Sequence, residues 1–140
     1  KGFDAIENLE EFTGLKVIYL EGNGFKKIEG LHTMTQLKSL YLQENCIQKI
    51  ENLETLVDLN TLQLTDNLIE KIENLGKNTK LQTLLIKRNR IGLNGLSDLQ
   101  GLLELKELSV LDVSDNKISD EKVLEEIFEK IPNLAVLYTQ

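Results

Sequence analysis

The feature that most limits what this chain can become is a spacing. Leu15-Ile18-Leu20-Asn23, Leu37-Leu40-Leu42-Asn45, Leu59-Leu62-Leu64-Asn67 and Leu81-Leu84-Ile86-Asn89 recur every 22 residues. Leu108-Leu111-Val113-Asn116 comes after 27, and Leu134 with Leu137 opens a further unit after 26. Periods in this range mark stacked supersecondary units, none able to bury its own apolar ladder alone. Between the ladders run more columns: Ile6, Ile28, Ile50 and Ile72; Leu9, Leu31, Leu53 and Leu75; Phe12, Met34 and Leu56. Each unit reads as a short strand, a sharp turn at Asn, then an irregular or single-turn helical return. Stacking buries the columns, each aliphatic side chain contributing roughly 1.5–3 kcal/mol.

The pattern resembles the leucine-rich repeat signature L-x-x-L-x-L-x-x-N-x-L. The implied fold class is α/β: a leucine-rich repeat solenoid with a curved parallel sheet on the concave face. Its convex face changes from short turns to full helices. Residues 1–140 read as one domain. It comprises a worn repeat at 1–14, 22-residue repeats over about 15–80, longer helical repeats over about 81–133 and an incomplete last repeat at 134–140. The closing cap is expected beyond residue 140, and the uncapped repeat offers an edge for self-association.

The Asn column has a chemical reason. A sharp turn leaves backbone N–H and C=O groups inside, and an amide side chain offers both a donor and an acceptor. Asn8, Asn52 and Asn74 in the I-E-N segments read as local caps for the turns just after them. Glu7, Glu29, Glu51 and Glu73 form a like-charged row, which Lys27, Lys49 and Lys71 are placed to offset. That row is the solvated edge of a repeat rather than paired acid/base chemistry. After Asn89 the pattern loosens, and Leu93 is expected to take the place of Ile72. Ser97-Asp98-Leu99-Gln100 reads as a capping box that opens a helix, which Gly101 weakens by about 1 kcal/mol relative to Ala. Ser119 or Asp120 is placed to cap a second helix, in which Val123, Leu124, Ile127, Phe128 and Ile131 keep helical spacing before Pro132.

Alternation along each strand defines the surface a partner can touch. If Ile18 and Leu20 point inward, their neighbours point to the concave face. The central row is then Tyr19, Tyr41, Gln63, Leu85, Asp112 and Tyr138. Beside it run Glu21, Gln43, Thr65, Lys87 and Ser114, and then Gly22, Glu44, Asp66, Arg88 and Asp115. The candidate protein-binding residues are Tyr19, Glu21, Tyr41, Gln43, Gln63, Asp66, Leu85, Lys87, Arg88, Asp112 and Tyr138. Tyr and Arg are enriched where binding energy concentrates. Tyr19 and Tyr41 make an aromatic step, and Lys87, Arg88 and Arg90 a basic island that Asp112 and Asp115 can pair across one repeat.

Charge and rare residues exclude other classes. The 23 acidic against 16 basic residues leave a net charge of −7, which disfavours phosphate-backbone and anionic-membrane binding. His32 is the only His, which rules out a His-based triad or a multi-His metal site, and it reads as an exposed return residue. Cys46 is the only Cys, so no internal disulfide forms; it reads as a buried spectator, and a reducing, cytoplasmic setting is expected. Gly22-Asn23-Gly24 lacks the strand–helix context of a phosphate loop. No apolar run approaches the roughly 20 residues of a membrane helix, and no signal peptide is expected. No catalytic, metal or cofactor motif stands out.

Two phrases, LQENCIQKIENL and LTDNLIEKIENL, resemble the repeat subclass of the type-1 protein phosphatase regulatory subunit. KGFDAIENLEEFTGL, LEGNGFKKIEGL and LDVSDNKISDEKVLEEIFEKIPNLAVL are similar to the dynein axonemal assembly factor 1 family, over nearly the whole chain. That resemblance implies a non-enzymatic scaffold in the cytoplasm of ciliated or flagellated cells, helping to preassemble dynein arms. The implied partners are dynein chains or assembly chaperones; no binding residue is carried over. A phosphatase regulatory subunit and an axonemal dynein-associated light chain stay open as alternatives.

Overall fold

The computed structural model describes residues 4–119 and 121–139, with residues 121 and 123 by backbone only. The Lys1-Gly2-Phe3 opening and Asp120 lie outside the described residues. Six three-residue strands form one sheet in chain order: β1 (Val17–Tyr19), β2 (Ser39–Tyr41), β3 (Thr61–Gln63), β4 (Thr83–Leu85), β5 (Val110–Asp112) and β6 (Val136–Tyr138). Every pairing is parallel, and the register keeps the sequence period: Leu40 pairs with Leu62, Leu62 with Leu84, and Leu84 with Leu111. The strands are short because each must turn at its Asn, but the ladder runs on past them. Leu20 N–H donates to the Tyr41 carbonyl at 2.8 Å, and Gly22 N–H to that of Gln43 at 3.1 Å.

The core is the set of columns read from the sequence. In one full repeat Leu37, Leu40, Leu42, Ile47, Ile50, Leu53 and Leu56 are all fully buried. Inside each turn the asparagines join neighbouring repeats. Asn45 Nδ2 donates to the carbonyls of Leu20, Leu42 and Gln43, while its Oδ1 accepts from the N–H groups of Asn23, Gly24 and Phe25. Asn67, Asn89 and Asn116 likewise each bridge to the repeat before their own. A single side chain thereby satisfies polar groups of two coils, as the column's chemistry required.

Several local expectations are corrected. Asn8, Asn52 and Asn74 do not act as caps for the turns after them. They sit at φ 61° to 65°, where Asn is better tolerated than most residues, and Gly30 holds the same place at 74°. Asn52 and Asn74 then reach back to donate to Ile28 and Ile50 of the preceding repeat, at 2.7 Å each. The Glu and Lys columns of the return segments form no ion pairs among the described residues; the salt bridges are Lys80–Asp58, Arg88–Asp66 and Arg88–Asp115. Phe12 is 51% exposed, because no element described lies over it as Met34 and Leu56 are covered.

The convex face thickens, but not as two full α-helices. Residues Leu96–Glu104 form a 3₁₀ helix, and α1 (Glu121–Glu129) is the α-helix. Gly95, not Ser97, stands at the 3₁₀ helix N-cap. Asp98 is buried instead, and its Oδ2 accepts from the N–H groups of Gly92 and Asn94, closing the preceding loop. Leu93 is exposed and does not replace Ile72; Leu99 and Leu102 fill the interior there. Gly101 is required rather than tolerated, since a Cβ there would lie 2.2 Å from the Ile72 carbonyl oxygen. The helical spacing of α1 holds, with Leu124, Ile127 and Ile131 buried.

Candidate interaction face

The central row forms through strand register. Tyr19 pairs with Tyr41, Tyr41 with Gln63, Gln63 with Leu85, Leu85 with Asp112 and Asp112 with Tyr138. All six share the sheet face opposite the packed leucines. The outermost of the three rows is tied by the extended ladder: Gly22, Glu44, Asp66 and Arg88 donate their N–H groups to the carbonyls of Gln43, Thr65, Lys87 and Ser114. Glu44, Asp66, Arg88 and Asp115 have φ between 54° and 61°. Their left-handed backbone comes from the Asn turn, which fixes where their side chains leave the sheet.

Tyr19 and Tyr41 stack with ring centroids 4.7 Å apart and planes 9° from parallel. Tyr19 remains 66% exposed. Sheet geometry causes the stack, because in-register neighbours on parallel strands stand about 4.8 Å apart. Two of the adjoining polar residues are already engaged. Gln63 Oε1 accepts from Thr65 N–H at 2.9 Å, and Asp112 Oδ1 accepts from Ser114 N–H and from its hydroxyl. Both are committed to their own turns.

The basic island is partly used up. Arg88 donates through Nε to Asp66 Oδ1 at 2.5 Å and through Nη2 to Oδ2 at 3.0 Å, and Asp115 lies 4.0 Å from Nη1. The Arg88 hydrogen bond holds the Asp66 carboxyl below the usual carboxylate range, and the Asp66 hydrogen bond raises the guanidinium. The principal partner is Asp66 of the preceding repeat, not Asp112. Lys87 is half-buried, and Glu21 is exposed; neither makes an ion pair among the described residues. Gln43 keeps its Oε1 buried with no donor among the described residues. Leu85 is half-buried, and Tyr138 is 55% exposed.

Two placements escaped the sequence. Cys46 is exposed rather than buried, since it sits just after its Asn on the outward side of the turn. Val17, Val136 and Leu137 are exposed apolar residues on the outermost strands. The column positions alone could not reveal these, because the same columns are covered elsewhere in the stack. His32 is exposed, as its polar alignment indicated. No helix among the described residues is long and apolar enough to cross a membrane.

The leucine-rich repeat family model matches residues 16–140. The chain belongs to the leucine-rich repeat family. Its fold is similar to a chain in the crystal structure of the Drosophila melanogaster SNF/U2A′ complex, with a TM-score of 0.81 and 25% identity, over 96% of this chain and 84% of that one. Internalin C2 of Listeria monocytogenes is similar at a TM-score of 0.75 and 26% identity, over 95% of this chain and 56% of its own. A leucine-rich repeat protein of Leptospira interrogans, at 24% identity and a TM-score of 0.76, shares the fold over 91% of this chain and 32% of its own. A search of curated proteins returned no significant match. Leucine-rich repeat domains are in general protein-interaction scaffolds, and this one presents its six-stranded sheet in that form.

Proposed function

We propose that this chain is a non-enzymatic scaffold that takes a protein partner on the concave face, over Tyr19, Tyr41, Leu85 and Lys87. The observation that carries the reading is the stacked Tyr19–Tyr41 pair, with one ring largely exposed. Glu21 stands beside it and Lys87 lies two strands further along the same face, both without ion pairs among the described residues, on a backbone held by the Asn ladder. Aromatic anchors on a rigid surface bind with little ordering cost. The SNF/U2A′ neighbour is itself solved as a complex, which suits this reading of the fold.

The finer role is that of a cytoplasmic assembly factor for axonemal dynein arms, in ciliated or flagellated cells. It rests on the similarity of Lys1–Leu15, Leu20–Leu31 and Leu111–Leu137 to that family's segments. Affinity capture from extracts of flagellated cells tests both levels. Immature dynein chains with chaperones are expected, and Tyr19→Ala/Tyr41→Ala should reduce their recovery several-fold. Recovery of a phosphatase catalytic subunit, or of salt-extracted axonemal motor, replaces the finer role with one of its alternatives. Capture indifferent to the tyrosines and to Lys87→Glu moves the site off this face. Exposed Val136, Leu137 and Tyr138 on β6 favour a second reading, pairing of two copies through that strand. A monomer at every concentration in size-exclusion chromatography removes it.

A further inference from the structure

The edge at which the strands begin carries a different chemistry from the concave face. Each pre-strand carbonyl accepts two N–H groups of the next repeat. Lys16 accepts from Lys38 and Ser39 at 2.7 and 3.0 Å, and Lys38 from Asn60 and Thr61 at 2.8 and 3.0 Å. Asn60 and Gln82 continue the series, so the backbone of this edge is a fixed ladder. Along it lies an open trough of about 690 Å³, lined by Lys38, Lys80 and Lys106 with Asp58 and Glu107. Lys16 stands one repeat before Lys38 in the same column.

Three ammonium groups therefore line the trough with two carboxylates, and Lys16 extends the basic column at its end, on a chain whose acids outnumber its bases. Lys80 is hydrogen-bonded to Asp58 at 2.9 Å. Lys16, Lys38 and Lys106 are exposed and make no ion pair among the described residues. Asp58 registers the local field: Lys80 first, then Lys38 and Lys16, hold its carboxyl below the usual carboxylate range. Surface charges act over roughly 10 Å at moderate salt, so a ligand at the trough meets three lysines against two carboxylates, of which Asp58 is already held by Lys80.

We propose that this trough is a second binding edge, separate from the concave face, and that it takes an acidic, extended peptide segment of a partner protein. Three features select that ligand. The backbone N–H groups of Lys38, Ser39, Asn60 and Gln82 are already bonded, so they form no nest of amides to cradle a single phosphate. The trough is lined by no aromatic or Arg among the described residues, which a nucleic acid would need for stacking or bidentate contacts. Lys38, Lys80 and Lys106 precede β2, β4 and β5, so they mark a path across four neighbouring strands, roughly 14 Å at ~4.8 Å per strand, which a short extended segment can span. Ser39 and Thr79 add hydroxyl donors between them.

The test is fluorescence anisotropy of a labelled poly-glutamate peptide of about a dozen residues with the whole chain, at low and moderate salt. Saturable binding that weakens with salt is expected. Lys38→Glu/Lys106→Glu should weaken it at least about tenfold, with circular dichroism melting unchanged because both side chains are exposed. Tyr19→Ala/Tyr41→Ala and Lys87→Glu should leave it unaltered, which separates this edge from the concave site. The proposal fails if poly-glutamate does not saturate, if Lys87→Glu weakens it as much as the edge reversal, or if a single-stranded oligonucleotide of equal charge binds more tightly.

Discussion

At the residue scale, Asn67 shows how one amide joins two repeats. Its Nδ2 serves the Leu42, Leu64 and Thr65 carbonyls, and its Oδ1 the Ile47 N–H, with the residue 5% exposed. Asn67→Ala leaves these groups unpaired and should cost about 1–3 kcal/mol in denaturant unfolding. Asn67→Asp should cost more, because a carboxylate would face three carbonyl oxygens. A variant as stable as the parent would contradict the bracing role. Asp66 gives a smaller, pH-dependent effect. Its folded carboxyl titrates below the unfolded value of about 4, so its contribution is complete above that value and vanishes as pH falls through the folded pKa. Asp66→Asn should therefore lower the urea midpoint slightly near neutral pH, and the two proteins should converge near pH ~2. An equal gap at both pH values would show that the Arg88 pair is not its origin.

At the element scale, the periodic parts were legible and the exceptions were not. Leu40, Leu62, Leu84 and Leu111 could be placed because one environment repeats, and each copy of the pattern reinforces the others. The concave row came from alternation alone. Leu96–Glu104 was harder, since its apolar spacing suits either helix type and its form is set by what lies beneath. The capping box at Ser97 fails for the same reason: an S-x-x-Q pattern is local, whereas Gly95 holds the N-cap and Asp98 accepts from Gly92 and Asn94, which precede the helix. Asn78 falls in the Met34–Leu56 column yet is polar and fully buried, donating to the Leu53 and Leu56 carbonyls. Gly101 gives the sharpest contrast between propensity and packing. Helix propensity favours Ala there by about 1 kcal/mol. A methyl group meets the Ile72 carbonyl at 2.2 Å, so Gly101→Ala should instead destabilise by about 1–3 kcal/mol. Gly14→Ala, with open space around it, is the control, and thermal melting that raised both equally would sink the packing account.

At the scale of the whole molecule, the sheet makes contacts only between neighbours in chain order, and α1 packs on the 3₁₀ helix. Stability should then behave as a row of units with nearest-neighbour coupling rather than as one indivisible core. Leu124 is 4% exposed on α1, so Leu124→Ala should cost about 2–4 kcal/mol locally. Its effect should spread to β5 and β6 and fade through β4. Native-state hydrogen exchange resolves this, because amides report local opening as well as global unfolding. Faster exchange at Val113 and Ala135, with Leu42 and Leu64 slow as before, is the expected pattern. The same logic bears on binding: Tyr19 and Tyr41 lie on the first two strands, so their stack should survive Leu124→Ala and capture through them should persist. Uniform acceleration across all six strands would mean that the coils unfold together, and would place the concave face and the far helix in one cooperative unit.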